Sequence, residues 1–222
     1  MSRKVSAKDA ETALTAIAVV AVVPFLIVTA IHYAQLKSAL LNEPGARRII
    51  DVRRALQRLM IGASVMAGLL VAFFLVLGSA SSGQGSAKAQ LAPLAIAGLV
   101  VLALAVLAAG IMTGRAFAAG LIGVVVNPRR KTVSFPTDGI LRSFSDTKVL
   151  ASSIIPASVE TISINEIHGL TRQGGTSVLL QGEFGSRAIT FSDKLRRDEC
   201  LMLLSGGKRF TDFELAGEGD YA

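Results

Sequence analysis

Three uninterrupted apolar runs constrain this chain more than any other feature. The first is "TALTAIAVVAVVPFLIVTAIHYA" (12–34), the second "LMIGASVMAGLLVAFFLVLGSA" (59–80) and the third "LAPLAIAGLVVLALAVLAAGIMTG" (91–114). Each exceeds about 20 residues without a formal charge, the length needed to cross roughly 30 Å of hydrocarbon. Apolar residues make up 51% of the 222, yet aromatics are only 5% and Trp is absent. The excess is aliphatic and small, which suits membrane helices better than an aromatic-rich soluble core. Three transmembrane helices over about 12–35, 59–80 and 91–116 are therefore expected, forming an anchor over 1–119. The first run follows Arg3, Lys4 and Lys8. Its length, with Asp9 and Glu11 interrupting the basic start, argues for a retained helix rather than a cleaved signal peptide. Pro24 predicts a kink in it.

Charge position orients the anchor. The net charge is +7, and residues 1–126 account for all of it, with 11 Lys+Arg against 4 Asp+Glu. Residues 127–222 hold 12 of each. The basic excess flanks apolar runs, which reads as topology signal and lipid-headgroup contact, not as a nucleic-acid footprint. The first connection carries Lys37, Arg47, Arg48, Arg53, Arg54 and Arg58, the second only Lys88, and Arg115, Arg129, Arg130 and Lys131 follow the third run. The positive-inside rule favours an amino end outside and a carboxyl-terminal part in the cytoplasm, with Arg3, Lys4 and Lys8 dissenting. The expected location is a bacterial inner (plasma) membrane.

The first connection, "GARRIIDVRRALQRLM", has helical spacing and predicts a basic amphipathic helix over 45–58. Arg47, Asp51, Arg54 and Arg58 share one face, opposite Ile49, Val52, Leu56 and Leu59. Such a helix either rests on an anionic leaflet or extends the second membrane helix into the cytoplasm. Within the spans, Ser64–Gly68 and Gly110–Gly114 stand at the four-residue spacing that allows close helix packing, within the chain or between copies. No carboxylate or basic pair lies in a span, which argues against transport by one subunit alone.

Beyond the third run the period changes. "LIGVVV" is short and rich in β-branched residues, "NPRRK" supplies turn residues, and "TVSF" alternates. The pattern predicts a β-hairpin beginning near Gly120, just past the third helix. "ETISINEIHGLTRQ", "TSVLLQGEF" and "SRAITF" read as further strands, with turns at Gly174–Gly175 and at "GS". The segment 141–158 is expected to hold one or two short strands. In "SDKLRRDECLMLLSGG", Ser192 or Asp193 can cap a helix that Gly206–Gly207 closes. Leu195 and Met202 share a face of that helix. The fold class is thus membrane α-helical followed by an α+β domain over 120–210, with a mobile tail over 211–222.

Membrane helices followed by "VVVNPRRKTVSF", "ISINEIHGL", "SVLLQGEF" and "RAITFSDKLRRDECLMLL" resemble the bacterial pleckstrin-homology-like (bPH-type) domains of integral membrane proteins. The resemblance covers roughly 120–210 and implies a curved antiparallel sheet or small barrel capped by a carboxyl-terminal helix. It further implies a scaffold that docks lipid or protein. No binding residue carries over from it.

Side chains for catalysis are sparse. His32 ends a span and His168 lies in a strand or its bend; neither has a sequence neighbour suited to proton transfer. The single cysteine, Cys200, sits among Leu201, Met202, Leu203 and Leu204 and reads as a small core side chain. No phosphate-loop, dinucleotide, zincin or nucleophile-elbow motif occurs. The expectation is a non-enzymatic scaffold without cofactor, catalytic residues or metal site. Its partners are the lipid bilayer and other membrane subunits or further copies of itself. Membrane-surface contact is expected from Arg47, Arg48, Arg53, Arg54, Arg58, Arg129, Arg130 and Lys131, whose other role is topogenic. Two alternatives are a structural subunit of a secretion, conjugation or envelope assembly, and an accessory subunit of a transporter or membrane enzyme that recruits His168 or Cys200.

Overall fold

A computed structural model describes residues 7–82, 88–137 and 158–206, with side chains over 22–76, 96–137 and 158–206. The expected strands within 141–157 and the tail over 211–222 lie outside the described residues, as does Gly207. In chain order the elements are α1 (Ala7–Leu41), β1 (Arg47–Ile49), α2 (Val52–Ser82), α3 (Lys88–Ile122), β2 (Val124–Asn127), β3 (Thr132–Pro136), β4 (Val159–Ser163), β5 (Ile167–Gln173), β6 (Ser177–Gly182), β7 (Gly185–Thr190) and α4 (Lys194–Leu204). A single 3-10 turn, Ile164–Glu166, joins β4 to β5. Helices α1, α2 and α3 are each long and apolar enough to cross a membrane, over Val22–Leu41, Val52–Val76 and Ile96–Ile122.

Two compact units divide the chain. The first takes in Met1–Ile31 and Arg58–Arg115. Here glycines set how closely the helices approach. A Cβ on Gly62 of α2 would lie 2.2 Å from the Thr113 methyl on α3. A Cβ on Gly114 would lie 3.0 Å from the Phe25 carbonyl oxygen and from Thr29 Oγ1 on α1. Small residues are what let helix backbones meet at this range without a water-driven hydrophobic force between them. The Thr29 hydroxyl donates to the Phe25 carbonyl at 2.7 Å, satisfying itself within its own helix.

The second unit takes in His32–Gln57 and Ala116–Ala222. It differs from the expected division at 119/120, and β1 is the reason. Residues 47–49, read from sequence as part of a helix over 45–58, form a strand instead, and α2 starts only at Val52. Arg47, Arg48 and Ile49 pair antiparallel with Val126, Val125 and Val124. Helical periodicity misled because the strand is only three residues long and shows no alternation of its own: Ile49 is buried, Arg48 half-buried and Arg47 exposed.

The strands form two meanders, β1-β2-β3-β4 and β5-β6-β7. Alternation assigns their faces. Ile49, Val124, Val126, Val133, Phe135 and Ile162 from the first sheet meet Val178, Leu180 and Ile189 from the second, with Phe191, Cys200 and Leu201 completing one core. Fully burying one such side chain contributes about 1.5–3 kcal/mol. The opposite face of the first sheet carries the cross-strand row Arg48, Val125, Ser134 and Thr161. There the Ser134 and Thr161 hydroxyls pair at 2.8 Å. The last turns of α1 are tied to this sheet at both ends. His32 Nε2 lies 2.6 Å from Ser158 Oγ, and Glu43, just past the helix, accepts from Asn127. Arg187 of β7 and Glu160 of β4 link the two sheets through an ion pair at 2.7 Å.

Several local expectations shift. Helix α3 ends at Ile122 rather than near Gly120, and Gly123 terminates it with φ +74° and its N–H on the Ala119 carbonyl at 3.0 Å. The β6–β7 turn falls at Glu183–Phe184, so "GS" opens the strand instead of forming the turn. Asp193 caps α4, its carboxylate accepting from the Arg196 amide at 2.8 Å. Leu195 and Met202 face outward, because the core-facing positions of α4 are Arg197, Cys200 and Leu201.

Gly123 is doubly constrained. Its φ suits glycine, and a Cβ there would stand 2.1 Å from the Ile49 carbonyl oxygen. Gly174 also has positive φ but opens onto free space. Gly174→Ala is expected to cost about 1–2 kcal/mol, the left-handed penalty alone. Gly123→Ala is expected to cost clearly more, because β1 must move. Thermal unfolding of the two variants in the same detergent checks this; equal losses would contradict the close approach of β1.

Candidate functional site

Two clusters merit functional attention, and both arise where the first connection meets the sheet. At one end of the first sheet stands the "NPRRK" turn. The Asn127 carboxamide oxygen accepts from the Arg129 and Arg130 amides at 3.0 and 3.1 Å, so a single buried side chain shapes the turn. The Asn127 amide nitrogen donates to Glu43, which also pairs with Arg130. Arg47 is one residue out of register from Asn127, and it is exposed, as are Arg129, Arg130 and Lys131. Four cations and one carboxylate therefore crowd this end. The four residues of β2 separate the turn from the last helical residues of α3, about 13 Å at strand rise.

At the other end of β1 lies a junction of helix termini. Arg48 donates through Nε to the Ile122 carbonyl at 2.8 Å, and through Nη2 to the Leu121 carbonyl. These are orphan carbonyls at the end of α3, and a cation there also complements the helix dipole. Arg48, expected at the membrane surface, is thus a cap within the protein. Asp51 caps the start of α2, accepting from the Arg54 amide at 3.0 Å, and its other oxygen accepts from the Ser192 amide just before α4. Burial alone would raise the Asp51 pKa. The amides of Arg54 and Ser192, the Ser192 hydroxyl and the Arg54 charge outweigh it, so the carboxyl titrates below its ordinary range.

The remaining basic residues lie along the start of α2, where Arg54 belongs with Asp51. Arg53 is exposed near the start of α2, while Arg54 and Arg58 are half-buried. Arg54 reaches Gln57 on its own helix at 3.3 Å. Of the expected packing residues, Gly110 and Gly114 are buried, and Gly114 meets α1. Ser64 and Gly68 are exposed, and nothing lies within 4 Å of a Cβ on Gly68. Gly62, which sequence reasoning did not single out, is the contact glycine of α2.

His168 is exposed on β5, where the register slips between Ile167 and Gly169. Cys200 is fully buried in the core, and burial, helped by Glu199, pushes its thiol up to about 12. Arg197 is buried beside it in sequence but points to other work, donating to the Gly175 carbonyl at 2.8 Å and pairing with Asp198. Among the described residues, no group of three or more His, Cys, Asp or Glu could hold a metal ion. Comparison with protein-family models, curated proteins and solved structures found no match.

Asp51 carries a pH signature. Its folded pKa lies below the unfolded value of about 3.9. Its contribution is therefore complete above that value and disappears as pH falls through the folded pKa. Asp51→Ala is expected to lose about 1–2 kcal/mol at neutral pH, the scale of a helix cap. Wild type and variant should converge as the medium is acidified. Unfolding followed from pH 7 downward tests this, and a difference that stays constant would refute the assigned role.

Proposed function

We propose that this chain is a non-enzymatic integral membrane scaffold. Three helices anchor it, the amino end lies outside, and a PH-like cytoplasmic unit holds a docking surface beside the inner membrane. One observation carries the reading: β1, drawn from the connection between two candidate spans, belongs to the same sheet as β2, β3 and β4. The sheet unit therefore takes strands from both sides of a helical pair and is joined to it through more than one connection. That connectivity suits a platform attached to a bilayer. The antiparallel meanders and the closing helix α4 support the PH-like reading. Exposed Arg47, Arg129, Arg130 and Lys131 support a docking role toward an anionic headgroup or an acidic protein segment.

The exposed Ser64–Gly68 face favours a second reading, a structural subunit of a larger assembly. Small residues that meet no other helix among the described residues leave room for one. A photo-reactive side chain at exposed Pro128, in the full chain and in intact cells, tests the docking role. The expected result is a discrete lipid or protein adduct that is lost when Arg129, Arg130 and Lys131 are all changed to Gln. An adduct pattern indifferent to those charges would contradict the role of the turn.

A further inference from the structure

The corner between β1 and α2 presents three large apolar side chains outward from the sheet unit. Ile50, Val52 and Leu56 are 37%, 54% and 49% exposed, while neighbouring Ile49 and Ala55 are buried. On a helix, Val52 and Leu56 stand four residues apart on one face, and buried Ala55 marks the edge at which that face meets the protein. Arg53 borders that face and is exposed. Such a face is costly in water. Val52 and Leu56 open the apolar segment Val52–Val76 of that helix, in which Met60, Ile61 and Val65 are also exposed.

We propose that Ile50, Val52 and Leu56 lie in the headgroup–acyl boundary of the bilayer and set the depth of the sheet unit. The occupant of this face is lipid, for two reasons on the molecule. Val52 and Leu56 belong to a helix long and apolar enough to span a membrane, and they are fringed by Arg53, whose charge complements anionic headgroups. The corner transmits its depth because its neighbours are locked. Ile49 is in the core, Asp51 bonds to Ser192, and Arg48 bonds to the end of α3. A shift of the corner would therefore move the whole sheet. The inference rests on the membrane reading of α2 and adds to it where the interface meets the chain.

Trp is absent from the sequence, so one introduced indole reports alone. Ile50→Trp, Leu56→Trp, Val65→Trp and Leu195→Trp all fall at exposed positions, where an indole needs no new space. The full chain is reconstituted in vesicles of zwitterionic and anionic phospholipid, brominated near the headgroup or near the chain end. Ile50→Trp and Leu56→Trp are expected to emit to the blue of Leu195→Trp and to be quenched most by shallow bromines. Val65→Trp should be quenched by deeper bromines. If Val65→Trp is quenched while Ile50→Trp and Leu56→Trp emit like Leu195→Trp, the interfacial corner is wrong and the membrane helix stands. If Val65→Trp is not quenched, the membrane reading itself fails. Blue-shifted but unquenched indoles at 50 and 56 would mean that protein, such as a second copy, covers the face, which also overturns the proposal.

Discussion

The pairing of Arg47–Ile49 with Val124–Val126 is the interaction on which the rest of the sheet unit depends. A three-residue strand contributes few ladder hydrogen bonds, and taken alone it would fray. It persists because Ile49 enters a core shared by both sheets. Closing the long loop between the two strands costs chain entropy that grows only slowly with length. Two long helices inside that loop reduce the cost further, since their residues are already ordered. Without β1, the valines of β2 would form an open edge with one core side chain missing. Open apolar edges invite wrong pairing, and a short strand with an outward arginine is a usual way to close them.

Around that pairing, polar groups at helix ends hold the geometry. Arg48 satisfies carbonyls at the end of α3, Asp51 satisfies amides at the start of α2 and before α4, and Gly123 lets α3 turn into β2 against the Ile49 backbone. Each helix terminus leaves backbone groups without intrahelical partners, and such groups need other partners when buried. Within five residues the first connection supplies a core side chain and two caps. Its charges therefore divide into structural and exposed sets, which the positive-inside rule does not distinguish.

Much of the architecture was legible in the residues. Long charge-free runs fixed the three helices, the switch to period-two alternation announced the strands, and the Ser192–Asp193 pair marked the start of α4. The β1 strand was not legible. Periodicity over "RRIIDVRRAL" fits a helix because arginines recur at helical intervals, and a strand of three residues has too few positions to show alternation. The signals that could have found it are "EPG" as a turn before β-branched residues and Asp51 as a helix cap. Glu43 was hidden for a different reason: its partners Asn127 and Arg130 are remote in sequence, and only the folded sheet brings them together. The contact role of Gly62 was equally hidden, since it depends on Thr113 of another helix. The charges at Arg129, Arg130 and Lys131 were visible, but not that Glu43 shares the same end of the sheet.

Hydrogen exchange of the full chain in a lipid nanodisc tests the central claim most directly. If β1 is an integral strand, those amides of Arg47–Ile49 that point toward β2 exchange far more slowly than an unstructured connection, and Ile49→Ala speeds exchange across β2 as well as β1. Exchange of residues 47–49 at the rate of an unstructured connection, with β2 protected regardless of Ile49, would contradict the account.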